Sequence, residues 1–280
     1  MSGTLYVVGT PIGNLSDFSP RAVETLRSVD FIAAEDTRVT LKLLNHFEIK
    51  NSLVSYHEHN KAARGEEIIR RILAGENAAI VSDAGMPCIS DPGEDLVRLA
   101  AAADVRTEVI PGPSAVISAL CVSGLVTSRF AFEGFLSTSK KSRRDHLDSV
   151  KEDTHTLIFY EAPHKLLATL TDMRDAFGAD RKISLARELT KIHEEVRRTT
   201  LGEAVTYYTE NAPKGEFVLV IEGAAPPAPP EVTLEEAVEM ARQLVAEGAR
   251  PTDAAKQTSA RTPFRKSEIY TALISEDEED

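Results

Sequence analysis

The residues of this chain best suited to chemistry sit in short polar stretches that follow apolar runs. Residues 82–93, SDAGMPCISDPG, come directly after Ala78, Ala79, Ile80 and Val81 and contain Gly85, Pro87, Pro92 and Gly93. Such a stretch bends tightly, and the small Ser82, Ala84 and Gly85 let a ligand approach the main chain. It fits a binding loop at the carboxyl end of a strand, where open α/β sheets take their ligands, and equally a plain strand-to-helix connection. Residues 9–14, GTPIGN, form a second loop able to cradle a nucleotide. They are not the dinucleotide fingerprint, because G-x-G-x-x-G is missing and Pro11 removes an amide donor. Glu35, Asp36, Thr37 and Arg38 form a charged cluster where the chain leaves a buried run. That placement suits substrate-facing groups, or a helix N-terminus capped by Asp36 or Thr37. His57 and His59 flank Glu58, but no further cysteine or histidine stands near them, so no metal is expected. Cys88 and Cys121 have neither metal-ligand spacing nor the number for a disulfide framework and read as reduced thiols.

These stretches need a scaffold, and the apolar pattern supplies one. Strands are expected at 4–8, 31–34, 53–56, 78–82 and 107–110, separated by helices that begin near Pro20, carry Leu41, Leu43 and Leu44, run over 64–74 and run over 94–103. Strand and helix alternate, which predicts a parallel sheet. Residues 111–115, PGPSA, are a further tight turn opening a helix. The pattern restarts near Leu120, so an N-terminal α/β domain is expected over 1–119 and a second over 120–223. The second domain reads as strands near 130–136, 156–160, 182–186, 196–202 and 217–222 with a basic helix at 140–150. Its mixture of hairpin-like and crossover connections predicts a mixed sheet. A proline-rich linker is expected at 224–231, then a helical module over 232–275 with a Thr233–Glu236 capping box and a stop at Gly248, then an acidic tail at 276–280.

Length and composition narrow the class. At 280 residues the chain can bury about two ordinary cores. Its 42% hydrophobic and 27% charged residues describe a globular protein. No apolar run reaches the roughly 18 residues of a membrane helix, and the first residues lack a signal-peptide pattern, so a cytoplasmic protein with no membrane partner is expected. The net charge of −12 argues at first against a polyanion partner, but five of the acidic residues lie in 276–280. Cations meanwhile cluster at Lys140, Lys141, Arg143 and Arg144, at Arg181 and Lys182, at Arg197 and Arg198, and at Arg261, Arg265 and Lys266.

Taken together, VVGTPIGNLSD (7–17), AEDTR (34–38), YHEHN (56–60), SDAGMPCISDPG (82–93), VIPGPSA (109–115), FEGFL (132–136), FYEAPHK (159–165), ARELTK (186–191) and KGEFVLVIEG (214–223) resemble a known family in that order. It is that of the 16S ribosomal RNA cytidine 2′-O-methyltransferases, within the tetrapyrrole-methylase fold. Relatives acting on corrinoids, uroporphyrinogen or the diphthamide precursor carry a more glycine-rich first loop. Met86, Cys88 and Lys165 depart from the family's usual residues.

The resemblance implies a two-domain tetrapyrrole-methylase fold binding S-adenosylmethionine in the cleft between two α/β domains. The implied cofactor contacts are Pro11, Ser82, Asp83, Ala84, Gly85, Pro87, Pro113, Ser114 and Ala115 from the first domain. Tyr160, Ala186, Arg187, Lys214, Gly215 and Glu216 approach from the second. The implied acceptor is a cytidine ribose, position 1402 of 16S RNA in the small ribosomal subunit, and a homodimer is implied. Candidates for accepting the 2′-hydroxyl proton are Glu35, Asp36 and His57, each with helix capping or surface pairing as its alternative. Arg38 and Arg187 would hold phosphate or orient the ribose, and Lys140, Lys141, Arg143, Arg144, Arg261, Arg265 and Lys266 are candidate RNA contacts. Two other readings are a methylase of the same fold with a tetrapyrrole or other small substrate, and a ribosome-assembly RNA binder without chemistry.

Overall fold

A computed structural model describes residues 2–226 and 232–275. The first half alternates strand and helix: β1 (Thr4–Val8), α1 (Pro20–Ser28), β2 (Phe31–Ala34), α2 (Thr37–His46), β3 (Leu53–Ser55), α3 (Lys61–Leu73), β4 (Ala78–Val81), α4 (Gly93–Ala102), β5 (Arg106–Ile110) and α5 (Ala115–Ser123). The five strands form one sheet in the order β3-β2-β4-β1-β5, with every pair parallel. The central β2 and β4 are apolar on both faces because both faces are covered. Phe31 and Ala33 point toward α3 and α4, where Ile68, Ile72 and Leu96 wait, while Ile32 and Ala34 point toward Ala22, Leu26 and Leu44 of α1 and α2. Helix α3 begins three residues before the expected Arg64, after a turn in which the Asn60 side chain accepts from the His57 amide.

The second sheet is mixed, as its sequence suggests. It contains β6 (Phe130–Phe135), β7 (Thr156–Glu161), β8 (Lys182–Arg187), β9 (Glu195–Thr200) and β10 (Phe217–Ile221), and its helices are α6 (Lys140–Val150), α7 (Pro163–Phe177) and α8 (Leu201–Glu210). The order is β6-β7-β10-β8-β9; β6 and β7 run parallel and the other pairs antiparallel. Leu147, Leu166, Leu170 and Leu201 from α6, α7 and α8 cover one face. Val116, Ala119 and Leu120 of α5 cover the other, against Ile158, Ala186, Val218 and Val220. The expected division after residue 119 therefore falls inside α5, a helix that follows the first sheet in sequence and packs on the second.

Among the described residues, those up to 224 make one compact unit and those from 225 onward another. In the second unit α9 (Leu234–Ala246), α10 (Pro251–Ser259) and α11 (Lys266–Ser275) bury their own core of Ala237, Val238, Ala241, Ala254, Ala255, Ile269 and Leu273. The Thr233–Glu236 capping box is formed, the Glu236 amide donating to Thr233 Oγ1 at 3.2 Å and the Thr233 amide to Glu236 Oε2 at 2.9 Å. Residues 227–231 of the expected linker and the acidic residues 276–280 lie outside the described residues. Among those described, no helix is long and apolar enough to cross a membrane.

Candidate active site

Neighbouring strands β1 and β4 send their chains to opposite faces of the first sheet, β1 to α1 and β4 to α4. A crevice opens at the carboxyl ends of two strands that part in this way, and that is where ligands enter parallel sheets. The loops after β1, β4 and β5 meet there. Thr10 and Gly85 pair through both main-chain groups, the Thr10 amide to the Gly85 oxygen at 2.9 Å and the Gly85 amide to the Thr10 oxygen at 3.1 Å. Gly85 has φ +85°, a conformation glycine adopts without strain. Gly9 and Gly112 lie back to back, so that a Cβ on Gly9 would come 2.7 Å from the Gly112 main chain. The Asp91 carboxylate fixes the rest of the loop, accepting from the amides of Cys88 (3.0 Å), Ile89 (3.3 Å) and Gly93 (2.8 Å). Within that loop Cys88 and Ser90 are held at φ 72° and 63°, a conformation that costs energy and tends to persist at functional sites.

Between the two sheets lies a cavity of about 560 Å³. Glu35, Asp83 and Ala84 line it from loops at the ends of first-sheet strands, and Ala115, Tyr160, Ala186, Leu189 and Val218 from the second-sheet side, with Ile12 packed against the latter. Glu35, Asp91, Glu161, Glu188 and Glu216 make it acidic, and Lys191 is the one lysine or arginine among its described lining residues. Lys191 is held in place by Glu188 Oε1 and Glu216 Oε2, both 2.8 Å from its Nζ. A second cavity of about 470 Å³ abuts the first, sharing Ile12, Ser82, Asp83, Ala84, Lys191 and Glu216 with it.

Electrostatics separate the candidate bases. Glu35 is half-buried on the wall of the larger cavity, and burial, reinforced by the charges of Asp83 and Asp91, raises its pKa. Asp36 is the N-cap of α2 and holds Arg38 in a two-pronged pair, with Oδ1 to Nε at 3.0 Å and Oδ2 to Nη2 at 2.6 Å. The side-chain hydrogen bond from Arg38, helped by its amide, pulls Asp36 down to about 2. His57 lines neither cavity; its Nε2 lies 3.4 Å from Asn60 Nδ2, and its buried Nδ1 has no hydrogen-bond partner. Burial, then Asp91 and Glu94, pushes the Cys88 thiol up to about 12, so it stays protonated and is no nucleophile. Among the described residues no three His, Cys, Asp or Glu side chains converge as a metal site.

Of the residues expected to hold a cofactor, Ser82, Asp83, Ala84, Ala115, Tyr160, Ala186 and Glu216 line the larger cavity. Pro11 lines the second cavity, and Pro113 borders a third, shallower one with Pro111 and Thr190. Gly85 and Pro87 are buried, shaping the loop from beneath, and Ser114 is the N-cap of α5. Arg187 is paired with Glu195 at 3.0 Å and donates to the Lys214 oxygen at 3.4 Å, while Gly215, at φ +81°, lies against the Glu188 side chain. Arg143, expected on an RNA-facing surface, is buried and its guanidinium is taken up by Asp172 at 2.6 and 2.8 Å. Arg144 is half-exposed but also bound to Asp172, at 2.8 Å, whereas Lys140, Lys141, Arg261, Arg265 and Lys266 are exposed. Sequence reasoning missed Ile12, Glu161, Glu188, Leu189 and Lys191 as lining residues. The ARELTK stretch at the end of β8 carried the signal for the last three.

The profile of the tetrapyrrole (corrin/porphyrin) methylases matches residues 4–205, and the chain belongs to that family of methyltransferases. Solved structures agree on the fold: a uroporphyrin-III C-methyltransferase from Thermus thermophilus superposes with a TM-score of 0.55 at 19% identity over 78% of this chain and 94% of that one. A diphthine synthase does so with a TM-score of 0.59 at 14% identity over 79% and 90%. Two similar sequences within the family carry the same name. A protein of Synechocystis named ribosomal RNA small subunit methyltransferase I is 50% identical over 268 residues, 96% of each chain. Its namesake in Bacillus subtilis is 44% identical over 96% of this chain and 94% of that protein.

Proposed function

We propose that this chain methylates the 2′-hydroxyl of a cytidine in 16S ribosomal RNA, with S-adenosylmethionine as donor. The observation that carries the reading is the larger cavity, whose acidic and apolar lining matches both halves of that donor. Its volume lies within the ~300–1,000 Å³ typical of small-molecule sites. Ala115, Ala186, Leu189 and Val218 offer an apolar wall for an adenosine, and the acidic lining, with Glu35 and Asp83 in it, suits a cationic sulfonium that would be costly to bury unpaired. When bound there, the cofactor would supply an electrophilic methyl group for the 2′-oxygen, with a thioether as the leaving group.

The protein's own contribution is positioning and proton transfer. Loops tied together at Thr10–Gly85 and by Asp91 hold the walls rigid, so the reacting groups meet at high effective concentration. Glu35 takes the hydroxyl proton, since its raised pKa brings it nearer to the working pH. Asp36 is a poorer base because Arg38 already holds its carboxylate. Exposed Lys140, Lys141, Arg261, Arg265 and Lys266 supply phosphate contacts, and the chain works as a homodimer. Light scattering tests the dimer, a 30.5 kDa particle at working concentration being the contrary result. The function is tested with purified protein, tritiated S-adenosylmethionine and small ribosomal subunits lacking the modification. Label recovered in a 2′-O-methylcytidine is expected; label on a base, or none, refutes the reading.

A further inference from the structure

The second cavity has a chemistry of its own. It shares Ile12, Ser82, Asp83, Ala84, Lys191 and Glu216 with the larger cavity but has none of Glu35, Asp91, Glu161 or Glu188 in its lining. In their place stand Lys42 and His46. The electrostatic character therefore changes across the shared boundary, from a net acidic lining to one in which Lys42 and Lys191 balance Asp83 and Glu216 and present donors to the acceptor atoms of a base.

One helix builds this wall. Val39, Lys42, Leu43 and His46 of α2 are spaced i, i+3, i+4 and i+7, so they form a single stripe along the helix. Leu44, beside that stripe, is buried in the first-sheet core. Across the cavity lie Pro11, Ile12 and Leu15 from the loop after β1. Leu15 is 42% exposed and Val39 39% exposed, large apolar side chains left open in a concavity rather than packed. Two apolar walls with Lys42 and His46 as polar groups at the edge suit a flat, polar-edged ring, and enzymes that modify nucleotides hold an extruded base between such walls.

On the reading that the chain is a 2′-O-methyltransferase, we infer that the second cavity is the acceptor-nucleotide subsite. The cytosine lies between Leu15 and the Val39–Leu43 stripe, Lys42 and His46 meet its polar edge or the adjoining phosphate, and the ribose sits at the shared boundary by Asp83 and Ala84. Helix α2 is thus the specificity element, mounted directly after Glu35 so that base recognition and proton acceptance ride on one segment.

The experiment uses full-length protein with small ribosomal subunits and three readouts. Lys42→Ala, at an exposed position, should raise KM for subunits about tenfold with kcat within about twofold, as expected when one contact to base or phosphate is lost. Val39→Trp, which fills the cavity, should lower kcat/KM about a hundredfold, while calorimetry finds cofactor affinity within about twofold of wild type in both variants. A photoreactive nucleotide at the acceptor position should crosslink to the peptide bearing residues 37–46. Cofactor affinity lost along with Val39→Trp, unchanged transfer in both variants, or crosslinks confined to second-sheet peptides would overturn the assignment while leaving the methyltransferase reading standing. A wild-type protein that transfers no methyl to subunits would overturn both.

Discussion

At Glu35 a carboxylate sits in the cavity wall with Asp83 and Asp91 nearby, while the next residue, Asp36, is exposed to solvent-side pairing with Arg38. Burial raises the first pKa and hydrogen bonding lowers the second to about 2, the kind of divergence that separates a working acid or base from a structural carboxylate. Methyl transfer should therefore fall as pH drops through the raised Glu35 pKa, above the ordinary glutamate value of about 4.3. Glu35→Gln should remove that limb and cost roughly 10²–10⁴-fold in kcat, measured as a pH profile at saturating substrate. Stability should move the other way. A raised carboxylate pKa means that the fold prefers the protonated form, so this contribution is present below the ordinary value and lost as pH rises through the raised one. The Gln variant should accordingly melt higher than wild type at about pH 7 and alike near pH 3, and calorimetric scans at both would show it. At the Gly9–Gly112 crossing, Gly112→Ala would set a Cβ 2.8 Å from the Gly9 main chain. Denaturant unfolding should find a loss of about 1–3 kcal/mol, and cofactor affinity should fall because the two loops are forced apart.

Among the elements, the strands were legible because each is a short apolar run ended by glycine, proline or charge, and β1, β2 and α6 fall on their expected residues. The loops lining the cavity were legible for the same reason, as glycine and proline where a strand must stop. Long-range pairing was not. Nothing near Arg143 in the chain announces Asp172, 29 residues away, so a helix with four cations in its first five residues read as an RNA-facing surface. Burial alone would raise the Asp172 pKa, but hydrogen bonds from Arg144 and Arg143 outweigh it and hold it low. Asp172→Ala would leave the buried Arg143 guanidinium unpaired, and urea unfolding should show a loss of about 3–5 kcal/mol. Asp36 was legible as a possible helix cap, but the choice between Glu35 and Asp36 as base was not, since only the position of Asp83 and Asp91 in space tells that Glu35 is the one with a raised pKa. Lys191 escaped notice because its role comes from Glu188 and Glu216, held on different strand ends.

The whole molecule joins two α/β layers around a cleft and adds a helical unit with its own core. Exposed Arg261, Arg265 and Lys266 lie around the start of α11, where cations oppose the helix dipole, and the Arg265 amide is already satisfied by Glu268 Oε2 at 2.7 Å. Phosphate is the partner proposed for their charge. A chain ending at residue 230 should keep its cofactor affinity, bind subunits more weakly, and lose roughly 0.7–0.9 from the log–log salt slope for each phosphate contact removed. Filter binding of both forms across a salt series reads this, and identical slopes would leave the helical unit without an RNA role. The central claim, ribose methylation of a small-subunit cytidine, is met most directly by mass-spectrometric mapping of 16S RNA from cells with and without this protein. One cytidine losing its 2′-O-methyl group in the deletion strain, and regaining it with the wild-type chain but not with Glu35→Gln, is the predicted result. An identical methylation map in both strains would contradict it.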